Sequence, residues 1–210
     1  MELSPLYPIL DTASLERRGF DPVAAAEAML EGGARMLQFR HKGHYSRAVF
    51  EQAVRVADLC RRAGALFVVD DRADIALLLD AGLHVGQDDL SPAAARKLLG
   101  PSRLLGLSTH NAVQFAAALA GPADYLAIGP IFATRSKQNP DPVVGLDGLR
   151  ALPARGRPLV AIGGITRANA RDVLAAGADS VAVIHDILPE NLHTRTLRQR
   201  MEEWQRLIKT

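Results

Sequence analysis

The chain has 210 residues, 48% of them hydrophobic and 23% charged, so it can bury a sizeable core and does not have the composition of a disordered segment. Lys and Arg number 25 against 23 for Asp and Glu, and the formal net charge of +2 gives no support to a nucleic-acid surface. The single cysteine, Cys60, excludes an intrachain disulfide. No apolar run approaches the ~20 residues that span a bilayer, and the stretch from Met1 to Asp11 lacks a basic region leading into a long apolar one. A protein with neither membrane segment nor secretory signal is expected, with a cytoplasmic location.

In chain order, short apolar runs alternate with amphipathic stretches. Strands are expected over 6–11, 36–40, 66–70, 83–85, 104–108, 125–128, 159–162 and 180–184. Helices are expected over 22–30, 46–63, 73–79, 112–119, 168–176 and 194–209, with another after Ser91. Asp21 and Ser91 precede their helices as N-caps. The recurring Gly32-Gly33-Ala34, Gly121-Pro122-Ala123-Asp124 and Gly177-Ala178-Asp179 read as helix C-cap glycines feeding the next strand.

Eight nearly all-apolar strands interleaved with helices describe a closed barrel or an open doubly wound sheet. The count of eight favours an α/β chain folded as one compact (β/α)8 TIM barrel over 1–210, smaller than the typical ~250 residues. In such a barrel, chemistry gathers at the carboxyl ends of the strands.

The polar residues fall there. Strand two ends Gln38-Phe39-Arg40-His41-Lys42, strand three Asp70-Asp71-Arg72, and strand four runs into Gly86-Gln87-Asp88-Asp89. Strand five ends Ser108-Thr109-His110, and strand six leads into a loop, 129–145, containing Thr134, Arg135, Ser136 and Lys137. Strand seven ends Gly163-Gly164, and strand eight His185-Asp186. Gln38, Arg40 and Lys42 alternate along an extended segment and share a face, which suits a polyanion such as a diphosphate. Asp71 and Asp89 leave neighbouring strands, as carboxylates that hold Mg²⁺ beside substrate phosphates do. Gly163-Gly164 before a helix suits a second phosphate, cradled by backbone amides. The long loop, poor in regular pattern, reads as a substrate-closing lid.

Each feature has a plainer reading. Taken alone, Arg40 and Lys42 read better as a solvated pair, while Asp71 serves as well as a helix cap and the paired glycines as a tight turn. His84, inside a strand, reads as a packed core histidine with no role, and Cys60 as core on an apolar helix face.

As a set, these segments resemble the thiamine phosphate synthase family. The resemblance runs from about residue 36 to 187, through Gln38-Phe39-Arg40-His41-Lys42, Val69-Asp70-Asp71-Arg72, His84-Val85-Gly86-Gln87-Asp88-Asp89, Ser108-Thr109-His110, Gly129 to Lys137, Val160 to Ile165 and Gly177 to Ile184. It implies a (β/α)8 barrel that joins a hydroxymethylpyrimidine diphosphate to a thiazole phosphate, or its carboxylated form, giving thiamine phosphate and pyrophosphate. It implies pyrimidine diphosphate contacts from Gln38, Phe39, Arg40, His41, Lys42, Asp70, Ser108 and Lys137, of which Arg40, Lys42, Lys137 and Ser108 are catalytic. Thr134, Arg135, Ser136, Gly164, Ile184 and His185 fall where the thiazole phosphate is held, and Asp71 and Asp89 match the Mg²⁺ ligands. It also implies a homo-oligomer, while the charge balance and the short apolar runs lead to no nucleic-acid or membrane partner being expected.

Three positions depart from the family pattern. Asp70 stands where asparagine is usual, Ala133 replaces a common proline, and His185 replaces a serine. Asp70 is expected to join the metal or to pair with Arg40. The alternatives are a thiazole tautomerase, with His110 as proton carrier, and a non-catalytic paralogue that binds thiazole or thiamine phosphate. A generic phosphosugar isomerase would not need the Asp88-Asp89 carboxylates.

Overall fold

The structure, a computed structural model, describes residues 3–134, 141–153 and 156–208. Eight parallel strands close into a barrel in sequential order: β1 (Leu6–Asp11), β2 (Met36–Arg40), β3 (Leu66–Asp70), β4 (Gly82–Val85), β5 (Leu105–Thr109), β6 (Tyr125–Ile128), β7 (Leu159–Ile162) and β8 (Ser180–Val183). β1 pairs with both β2 and β8, so the sheet has no free edge.

Around it lie α1 (Thr12–Glu16), α2 (Pro22–Glu31), α3 (Arg47–Ala63), α4 (Ala73–Leu78), α5 (Pro92–Leu99), α6 (Ala112–Leu119), α7 (Gly145–Arg150), α8 (Ala170–Ala175) and α9 (Thr194–Ile208). The expected elements are all present, most within two residues of their expected ends. Two short helices, α1 and α7, were not expected, because one or two turns leave no apolar period to read. The last position expected for the final helix, Lys209, lies outside the described residues.

Local chemistry accounts for the ends. Asp21 and Ser91 accept from the amides of Ala24 and Ala94, each with proline at the first helical position. Helix α3 buries Ala53, Val56, Ala57 and Cys60, a three-four spacing that keeps one stripe against the barrel. Gly33 and Gly177 follow their helices in the left-handed conformation, as the C-cap reading expects. Gly121 does not: it is absent from the glycines with positive φ, so it is a connector rather than a left-handed stop.

The aspartates of those repeated phrases explain the repetition. Asp124, just before β6, accepts at 2.7 Å from the amide of Leu105 at the start of β5, and its own amide donates to the Leu105 carbonyl. Asp179, just before β8, does the same to Leu159 at the start of β7. Each carboxylate fastens the amino end of one strand to its neighbour. Arg96 adds an ion pair to Asp124 at 2.6 Å.

Alternation along the strands sorts side chains into two apolar clusters. One lies between sheet and helices and includes Leu10, Leu37, Phe39, Val69, Leu83, Leu105, Leu126 and Val183. The other fills the barrel interior with Tyr7, Ile9, Met36, Val68, Tyr125, Ala127, Val160 and Ala182. The inward row also carries Gln38, Asp70, His84, Gly106 and Ser108. Among the described residues no helix is long and apolar enough to cross a membrane.

Candidate active site

Charge concentrates where β1 to β4 end. Asp11 closes β1 and lies opposite Arg40 in the register. The Arg40 guanidinium donates to Asp11 Oδ1 at 2.5 Å and lies 3.6 Å from Asp70 Oδ2. The Lys42 ammonium sits 2.8 Å from Asp70 Oδ2 and donates to Asp71 Oδ2. Asp70 thus pairs with both cations, which realises the expected Arg40 contact and shows how the extra negative charge is balanced.

The electrostatics follow from this packing. Burial opposes charge on Asp11, but the Ser14 hydroxyl, the Arg40 guanidinium and the Ser14 amide hold its carboxyl below its ordinary range. Burial also opposes charge on Lys42, yet Asp70 and Asp71 hold its ammonium above its ordinary value. For Asp71 the balance tips the other way. Burial and the charge of Asp70 push its carboxyl up to about 6 against the pull of Lys42, and the Asp89 carboxyl within hydrogen-bonding reach adds to the rise. Asp71 also stands at φ +62°, a left-handed backbone that turns the chain out of β3.

Four carboxylates, Asp11, Asp70, Asp71 and Asp89, therefore face two cations, Arg40 and Lys42. Among the described residues no cluster of three or more His, Cys, Asp and Glu forms a complete cage for a metal. The Asp71–Asp89 pair is the donor set that could hold a hard divalent cation, with further ligands coming from a phosphate or water. Asp89 is steadied for this by the Gly86 amide, which donates to its Oδ2 at 2.7 Å.

The other expected residues divide by position. Phe39 points the opposite way from Gln38 and Arg40. It is fully buried in the cluster between sheet and helices, so its side chain cannot line the barrel mouth: strand alternation sends it outward. Gln38 lies inside the barrel and donates to the Tyr7 hydroxyl at 3.0 Å. His41 is engaged at both ring nitrogens, by the Thr12 hydroxyl at 2.8 Å and the His44 carbonyl at 3.2 Å, and stands edge-on to Tyr45. His110, the expected proton carrier of the tautomerase alternative, is tied through Nδ1 to the Gly129 carbonyl at 2.8 Å.

The segment expected to cradle a second phosphate is a glycine turn. Gly163 and Gly164 have φ of +98° and +66°. A Cβ on Gly164 would come within 2.7 Å of both the Ala133 carbonyl oxygen and Phe132 Cβ. Only glycine allows this turn to nest under the segment leading to Thr134. Ile184 packs against the interior cluster, and His185 lines a cleft of about 440 Å³ with Ser14, Arg17, Arg18, Leu188 and Glu190. Arg135, Ser136 and Lys137, with the centre of the expected lid, lie outside the described residues.

His84 is buried as its position suggested, and both of its ring nitrogens are hydrogen-bonded. Its Nε2 lies 2.8 Å from Ser108 Oγ and its Nδ1 2.8 Å from the Tyr125 hydroxyl. Burial pushes its imidazole down to about 4, so the ring is neutral. Burial likewise holds the Tyr7 and Tyr125 phenols far above their ordinary value. The signal was present in the parity of β4: His84 shares the inward face with Gly82, whereas Leu83 and Val85 point outward. Asp11 could have been found in the same way, as the carboxylate at the end of β1.

Comparison with known proteins identifies the family. The family model described as thiamine monophosphate synthase matches residues 6–187. A thiamine-phosphate synthase of Chloroflexus aurantiacus is 46% identical over 196 residues, covering 92% of this chain and 89% of that protein. A thiamine-phosphate synthase of Koribacter versatilis is 45% identical over 215 residues, covering 99% and 97%. The solved thiamine phosphate pyrophosphorylase of Pyrococcus furiosus superposes with a TM-score of 0.82 at 35% identity, over 97% of this chain and 95% of that one. The chain belongs to the thiamine monophosphate synthase family, and like its relatives it is a transferase of thiamine biosynthesis.

Proposed function

We propose that the chain joins 4-amino-2-methyl-5-(diphosphooxymethyl)pyrimidine to 4-methyl-5-(2-phosphooxyethyl)thiazole, giving thiamine phosphate and pyrophosphate, or to its carboxylated form, with carbon dioxide released as well. The observation that carries this reading is the excess of carboxylate over cation at the ends of β1 to β4, beside an inward row that includes Ser108. Asp71 and Asp89 would hold Mg²⁺, since two carboxylates without a cage suit an ion that completes its shell with substrate phosphate. When bound, it neutralises charge on the diphosphate and on the departing pyrophosphate.

The protein's own groups then do the following. Arg40 and Lys42 hold the diphosphate, drawn from their carboxylate partners by a more highly charged one, with Lys137 as a third cation. The bond between the pyrimidine methylene carbon and the diphosphate oxygen breaks, and its electron pair leaves with pyrophosphate. The electron-rich aminopyrimidine carries the positive charge until the thiazole nitrogen forms the new carbon–nitrogen bond. Cations placed where the leaving charge grows stabilise the transition state more than the ground state, which is what raises a rate. Thr134, Arg135, Ser136, the Gly164 and Ile184 backbone and His185 hold the thiazole phosphate. No side-chain nucleophile is needed.

Incubation with both substrates, with and without Mg²⁺, tests the reading. One pyrophosphate per thiamine phosphate is expected, with loss of both in EDTA. Turnover of neither substrate in the presence of Mg²⁺ would refute it.

A further inference from the structure

A continuous hydrogen-bonded chain crosses the barrel interior from β2 to β5. Gln38 Nε2 donates to the Tyr7 hydroxyl at 3.0 Å, which meets the Tyr125 hydroxyl at 3.2 Å. The Tyr125 hydroxyl meets His84 Nδ1 at 2.8 Å, and His84 Nε2 meets Ser108 Oγ at 2.8 Å. Four of the five groups are buried, and the chain surfaces at Ser108 alone.

Its sense follows from counting protons. The Gln38 amide nitrogen can only donate, so Tyr7 accepts there; among the described residues Tyr125 is the other partner of the Tyr7 hydroxyl, so a satisfied Tyr7 proton goes to Tyr125. Tyr125, having accepted, donates to His84 Nδ1. A neutral imidazole carries one proton, so it resides on Nε2 and is donated to Ser108 Oγ. The serine hydroxyl is left as acceptor toward the interior, with its own proton free for an acceptor in the barrel mouth. Among the described residues its Oγ has no other partner.

Gly106 makes the crossing possible. It lies between His84 and Tyr125 in the register, paired to His84 on one side and Tyr125 on the other. A Cβ there would stand 2.1 Å from Tyr125 Cζ, 2.4 Å from its hydroxyl and 2.5 Å from His84 Nδ1. The missing side chain is the passage through which the phenol reaches the imidazole. The Tyr125 and His84 rings also stack, with centroids 5.5 Å apart and planes 26° from parallel.

We propose that His84 is a positioning residue which, held in its Nε2–H tautomer by Tyr7 and Tyr125, orients the Ser108 hydroxyl as a hydrogen-bond donor to an oxygen of the bound diphosphate. The proposal deepens the functional reading above and rests on it only for the identity of the acceptor. Fixing a rotor in advance matters because a hydroxyl free to turn loses the stabilisation that a preorganised donor gives.

Two measurements test it. Tyr125→Phe removes one hydroxyl from the chain at nearly constant volume. It is expected to lower kcat about tenfold with KM changed less than twofold, and to change kcat less than twofold in a Ser108→Ala background. An unchanged kcat, or the same factor in both backgrounds, would overturn the proposal. His84→Gln, which keeps a donor, should likewise retain at least tenfold more kcat than the apolar His84→Met, whereas a purely packing role predicts the reverse. Independently of turnover, the ¹⁵N spectrum of histidine-labelled wild-type protein should show the Nε2–H form at His84, with Tyr125→Phe admitting the other tautomer. An Nδ1–H ring in the wild type would refute the sense of the chain even if the reaction proceeds. A correct tautomer without pyrophosphate release would count against the functional reading alone.

Discussion

Replacing Asp71 by asparagine should stabilise the metal-free protein while abolishing pyrophosphate release. Burial and Asp70 raise this carboxyl from 3.8 to about 6. At about 1.4 kcal/mol for each tenfold change in proton affinity, that comes to about 3 kcal/mol. One-fifth exposure of the side chain to solvent reduces this to about 2 kcal/mol. A carboxyl whose folded value is raised favours folding below its unfolded value, near 3.8, and loses that advantage as pH climbs through about 6. The variant should match the wild type near pH 4 and exceed it fully above pH 6. Asparagine is isosteric and tolerates the left-handed backbone, so strain does not obscure the comparison. For a chain of this size the gain is about 6 °C in Tm. Thermal or urea unfolding in EDTA from pH 4 to 8 measures it, and Mg²⁺ should then stabilise the wild type but not the variant. A variant less stable than the wild type at pH 7.5, or a difference independent of pH, would show that Asp71 is already compensated and that the mouth lacks no positive charge.

Three further outcomes are expected. Trp204, fully buried on α9, should cost about 3–5 kcal/mol in urea unfolding when replaced by alanine. Asp179→Ala strips the Leu159 amide of its carboxylate acceptor and should cost about 1–2 kcal/mol, with kcat unchanged because the contact lies at the far end of the strands. Cys60, buried and with its thiol pushed up to about 12, should resist a thiol reagent in the native protein at pH 8 and react fully in denaturant. Rapid native labelling would contradict the packing of α3.

The barrel was legible because each strand is a short apolar run bounded by helix-period segments, a pattern that needs no tertiary context. The cation and carboxylate residues of the mouth were legible because they cluster just past those runs. What escaped was orientation. Phe39 sits between two mouth residues in sequence, yet the pleat turns it toward the helices. His84 is the buried histidine its position suggests, but Tyr125, Ser108 and the gap at Gly106 are brought beside it only by barrel closure. Helices α1 and α7 are too short to have a period, and Gly121 resembles Gly177 in sequence but not in backbone angle.

The carboxylate fasteners at Asp124 and Asp179 stand at the opposite end of the strands from the candidate site. Heat resistance can therefore be tuned along one rim of this molecule without touching the other. Selection for a hotter environment and selection for a different phosphorylated partner would leave their marks on separate sets of residues, free to change independently.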